Sequence, residues 1–180
     1  GIVSMNSKVT VKPVYASDCP TCITDRVCVF KSLDHGMELI QSDEDAYATV
    51  HRADFANNIC GIYANGMTGF AVTENQFTVG DNPVELTGLV DEQFLGYHRA
   101  FFSTISYGFV IRDNTLVQAT TGEVQPLSGT EGIVVGYTRD HNDVVFRNQA
   151  FNLERAYVGE GVCADVLAGN NYRYIGLQFL

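Results

Sequence analysis

Tryptophan is absent from this chain and positive charge is scarce: 180 residues hold 11 Lys and Arg against 21 Asp and Glu, a formal charge of -10. Recognition of a phosphate backbone needs clustered cations that displace counterions, so nucleic acid is excluded as the main ligand. Lysine is scarcest of all. Lys8, Lys12 and Lys31 are the only three, and every later cation is an arginine, whose planar fork suits bidentate pairing at protein contacts. Long apolar runs are missing as well. None approaches the ~20 residues that span a bilayer, and the first residues show neither the basic nor the apolar region of a secretory leader. No membrane partner and no leader are therefore expected. The opening "GIVSM" puts Met5 where the myristoylation pattern wants Ser or Thr. The G-x-G-x-x-G, Walker, H-E-x-x-H and G-x-S-x-G signatures do not occur either, and no cofactor is expected.

What is present reads as one folded unit. The chain is 46% hydrophobic and 18% charged, a globular composition, and its length fits a single β-rich domain over residues 1–180. Residues 1–90 carry five basic and eleven acidic side chains and residues 91–180 six and ten, so no charge boundary marks a second domain. "KVTVKPVYA" and "RVCVFKSL" alternate or cluster apolar residues as strands do, and "ICGIYANGMTGFAV", "YGFVIRDNTLVQATTGEVQPL" and "GIVVGYTRDHNDVVFRN" read as strands broken by turns at Asn-Gly, Asp-Asn and "RDHND". Two helices are expected. One runs through "SDEDAYATVHRADFANN", with Ser42 or Asp43 as cap; the other spans Asp91 to Phe102, where a strand fits nearly as well. The fold class that follows is mainly β (α+β), an antiparallel β sandwich or barrel with one or two short helices. No repeat of fixed period is visible.

Candidate chemistry centres on cysteine. Cys19, Cys22 and Cys28, followed by His35, give C-x2-C-x5-C-x6-H; the first pair has the spacing of a zinc knuckle, whereas Cys28 falls in a strand-like run. Reduced thiols in a turn and core are the preferred reading. A disulfide would suit an extracellular protein, but five cysteines leave one over. Cys60 is the candidate nucleophile, with His51, His98 or His141 as base. Ile59 and Ile62 around it suggest a buried strand, where a thiol is filler. No catalytic residue, cofactor site or metal site is assigned on these signals.

Residues 86–180, from "LTGLVDEQFLGY" through "SGTEGIVVGYT" to "GVCADVLAGNNYRYIGLQFL", resemble the small β-rich decoration or cement proteins of tailed-bacteriophage capsids in texture and in the order of their elements. The resemblance implies symmetric self-association on a virion surface and carries over no site residue. The function expected is that of a non-enzymatic structural assembly protein. Its partners would be other copies of itself and a capsid lattice; its location would be the virion, or otherwise the cytoplasm. A hydrolase or transferase using Cys60 and a histidine, and a metal-stabilised binding module, are the alternatives.

Overall fold

The computed structural model describes the chain except residues 20, 22–23, 42–45, 81–95, 120–127, 139–142, 161–172, 176–177 and 180. Eighteen strands form three six-stranded sheets, and every pairing between these strands is parallel. Each sheet takes every third strand. The chain therefore winds through six coils, each laying one strand on each sheet, and the result is a three-sided parallel β-solenoid. The first coil is β1 (Ile2–Met5), β2 (Val9–Val11) and β3 (Val29–Lys31). The later coils are β4–β6 (His35–Ile40, Ala48–His51, Asp54–Asn58), β7–β9 (Cys60–Asn65, Phe70–Thr73, Gln76–Val79), β10–β12 (His98–Thr104, Val110–Arg112, Thr115–Gln118), β13–β15 (Thr130–Gly136, Val144–Phe146, Gln149–Phe151) and β16–β18 (Arg155–Glu160, Arg173–Ile175, Gln178–Phe179).

This architecture overturns the antiparallel sandwich or barrel. Apolar alternation reports which side chains face inward, but it says nothing about the direction of the neighbouring strand. The turn signals were misleading for a specific reason. Asn65-Gly66 and Asp113-Asn114 sit at solenoid corners, where the chain leaves one sheet for the next, and left-handed backbone at Gly66 (φ 68) and Asp113 (φ 59) makes the corner instead of a hairpin. The expected helices are also corrected. Residues 42–45 and 91–95 lie outside the described set, while Ala48–His51, Asp54–Asn58 and His98–Phe102 are strand. The one helical element among the described residues is a 3-10 turn at Ala16–Asp18.

Register explains why no period is visible. Ile2, Met37, Ile62, Phe101, Ile133 and Tyr157 stack in one inward column, so successive coils take 35, 25, 39, 32 and 24 residues. Insertions between strands erase the repeat from the sequence. The interior consists of such columns. Phe30, Phe55 and Phe77 stack with centroids 4.9 Å apart at each step, each pair worth about 0.5–1.5 kcal/mol beyond its buried area. Gly36 and Gly61 stand where the first sheet approaches these rings: a Cβ on Gly61 would lie 2.4 Å from the Ala100 carbonyl oxygen and 2.9 Å from the Phe77 ring.

Asparagines fasten the corner between the second and third sheets. Arg52, Glu74, Asp113 and Arg147 all adopt φ between 51 and 59 there, and Ala53, Asn75, Asn114 and Asn148 follow them. The Asn114 amide donates to the Val72 carbonyl at 3.0 Å and its Oδ1 accepts from the Asn75 N–H at 2.9 Å. Asn75 and Asn148 repeat the pattern toward Val50 and Ile111. Each buried amide thus satisfies main-chain groups that a corner would leave without partners.

Candidate functional site

Three places were compared: the cysteine-bearing segments, the outward face of the first sheet, and the open first coil.

Cys19 follows the 3-10 turn, half-buried and disulfide-bonded, whereas Cys28 and Cys60 are free thiols. Cys22 lies outside the described residues. Cys19 therefore cannot serve as the thiolate that zinc requires, and the Cys28 thiol points to the Lys12 carbonyl at 3.6 Å. His35 opens β4, and its ring lies tilted against that of Tyr63 with centroids 5.7 Å apart. Among the described residues no three His, Cys, Asp or Glu side chains gather as a metal would need.

Cys60 is fully buried at the start of β7, and its thiol donates to the Ile62 carbonyl at 3.3 Å. Burial pushes that thiol up to about 12, with Arg99 pulling the other way. A nucleophile needs the thiolate, and here the thiolate is the disfavoured form. The histidines expected to serve it are placed differently. His51 lies on the second sheet, hydrogen-bonded to the Thr73 hydroxyl at 3.0 Å; His98 opens β10; His141 lies outside the described residues. The histidine in register with Cys60 is His35.

Around Cys60 the outward face of the first sheet forms a second, smaller apolar cluster with Ile59, Tyr63, Phe102 and Val134. Beside it lies a buried charge network that sequence reading missed, because its members are 24 to 32 residues apart and meet only through the register Arg99–Glu131–Arg155. Arg99 donates from Nε to Glu131 at 2.6 Å and lies over the Phe102 ring at 4.4 Å, and Arg155 pairs with the other Glu131 oxygen. Glu131 is therefore a buried carboxylate whose charge is balanced by two guanidinium groups, Arg99 at one oxygen and Arg155 at the other. At the edge of this face a groove of about 420 Å³ is lined by Gly96, Tyr97, Ser128, Gly129, Glu154 and Arg155. Its charged residues are exposed but partnered: Glu154 accepts from the Gly129 N–H, and the Tyr97 ring carries the guanidiniums of Arg99 at 5.1 Å and Arg155 at 5.0 Å.

The first coil is different in kind. β1, β2 and β3 each form one edge of their sheet, as β16, β17 and β18 form the other, and among the described residues no strand pairs with the outer side of β1, β2 or β3. Five of the nine exposed large apolar side chains described belong to this coil and its loop: Val3 at 66%, Met5 at 63%, Val29 at 58%, Val14 at 48% and Val27 at 47%. The interior column ends here too, with Phe30 half-buried against Phe55. All three lysines surround the same edge, exposed beside or within β2 and β3. Open main chain, apolar side chains and cations coincide on one end of the solenoid.

No described helix is long and apolar enough to cross a membrane. No protein-family model, no curated protein and no solved structure matches this chain.

Proposed function

We propose that this protein is a non-enzymatic structural assembly component whose first coil joins it to a larger protein lattice, a capsid lattice on a virion surface. The observation that carries this reading is the first coil: one open edge of each of the three sheets coincides there with five exposed apolar side chains. Unpaired strand edges bearing apolar groups are templates for pairing. Burying one Val or Met side chain fully contributes about 1.5–3 kcal/mol, so five that are about half exposed can supply several kcal/mol to an interface. The rest of the molecule suits a scaffold. Its asparagine column and stacked rings stiffen a rod, and the buried Cys60 thiol is held in the unreactive form.

Co-sedimentation with capsid particles tests this. The wild-type chain should pellet with them, while the double variant Val3→Asp with Val29→Asp should stay in the supernatant with an unchanged circular dichroism spectrum. A chain that sediments as a strict monomer, with no affinity for any such particle, would refute the reading.

A further inference from the structure

We infer that the first coil accepts an acidic polypeptide that adds a β-strand to it, and that two first coils do not pair edge to edge with each other. The inference rests on the assembly reading above and names the chemistry of the partner.

The solenoid divides the chain where a count by halves does not. Residues 1–31 hold four basic side chains, Lys8, Lys12, Arg26 and Lys31, against Asp18 and Asp25, a net charge of +2. Residues 32–180 hold seven basic and nineteen acidic side chains, a net charge of -12. The single basic coil on an acidic rod is therefore one of the two coils that end the sheets. All four of its cations are exposed, whereas Asp25 is occupied as acceptor for the Ala16 N–H at 2.8 Å. Lysines on an edge strand are a recognised guard against pairing with an identical edge. Bringing two copies together edge to edge would set two groups of four cations against each other. An acidic strand meets the opposite condition, and complementary charge steers its approach.

The register specifies the strand further. On the third sheet the inward column Phe30, Phe55, Phe77 ends at half-buried Phe30, while Val29 and Lys31 on either side point outward. A strand added beside β3 continues the column with an apolar, preferably aromatic, inward residue and places its neighbours next to Val29 and Lys31. The fitting sequence alternates apolar residues with Asp or Glu. This is recognition by strand addition, with main-chain bonds giving affinity and alternate side chains giving specificity.

The test uses two nine-residue peptides, one alternating glutamate with phenylalanine or threonine, the other with lysine in place of each glutamate. Amide hydrogen exchange in Val9–Val11 and Val29–Lys31 should slow at least about fivefold with the glutamate peptide and stay unchanged with the lysine peptide. The protection should fall as salt is raised from about 20 to about 500 mM. The triple variant Lys8→Glu, Lys12→Glu, Lys31→Glu, with an unchanged circular dichroism spectrum, should reverse the preference. Equal protection by both peptides, or none at millimolar concentration, overturns the inference. If the peptides fail while the chain still pellets with capsid particles, the assembly reading stands and the acidic-strand partner falls; if the peptides protect but nothing pellets, the reverse holds.

Discussion

Replacing Asn114 by leucine isolates what the corner asparagines contribute. The side chain is 1% exposed, and four hydrogen bonds converge on it: from its Nδ2 to the Val72 carbonyl at 3.0 Å and to Asn148 Oδ1 at 2.8 Å, and to its Oδ1 from the Asn75 N–H at 2.9 Å and Asn75 Nδ2 at 3.0 Å. Leucine keeps the volume but strips partners from buried groups of the corner. Each buried group left unsatisfied costs about 1–3 kcal/mol, and at least two are affected, so the loss should be about 2 kcal/mol or more. Left-handed Asp113, one residue earlier, adds to the dependence because its conformation persists only while its surroundings hold it. Denaturant unfolding followed by circular dichroism gives the midpoint, and hydrogen exchange shows whether the loss is confined to the third to fifth coils, as nearest-neighbour coupling in a solenoid implies. The matched control is Arg147→Ala, which removes the exposed pairing with Asp113 and the guanidinium over the Phe146 ring and should shift the midpoint far less. A loss below about 1 kcal/mol for Asn114→Leu would refute the argument that these amides hold the corner.

Gly61→Ala should destabilise by about 1–3 kcal/mol in the same unfolding assay, because the new methyl meets the Ala100 carbonyl oxygen and the Phe77 ring; an unchanged midpoint would contradict the close approach. Ser103→Ala should stabilise by about 1 kcal/mol: Ser103 Oγ is buried without a hydrogen-bond partner in the column between Ala64 and Val135, and alanine removes the hydroxyl. For Cys60, the folded thiol titrates near 12 and the unfolded one near 9, so its contribution is fully present below pH 9 and is lost as pH rises toward 12. The wild type should therefore lose more stability than Cys60→Ala over that range, and equal losses would contradict the assignment. At neutral pH a maleimide should label half-buried Cys28 in the native protein and reach Cys60 only after unfolding.

Particular residues show how far the sequence is legible. Val9 and Val11, and Phe30 with its flanking Val29 and Lys31, alternate as strands should, and they are strands. Their partners were illegible, because Val9 pairs with Ala48 and Val29 with Asp54 across insertions of unequal length. Tyr47, Val50 and Phe55 fall on one face of a helical wheel. In the structure Val50 and Phe55 are inward residues of two different sheets, separated by the corner at Arg52. The Arg99–Glu131–Arg155 network left no local trace, since parallel stacking alone brings its members together. The first coil offered one visible signal, the confinement of lysine to residues 8–31, whose meaning emerged only once those residues became one edge of every sheet.

Those three lysines also provide the most direct measurement of the central claim, that the first coil is the docking surface. Amine acetylation read by mass spectrometry reports on Lys8, Lys12 and Lys31, and the chain has no other lysine to dilute the signal. The isolated chain should be modified at all three, since each is exposed. In the assembled particle all three should be protected together. Lysines modified equally fast in the isolated and the assembled protein would contradict the account.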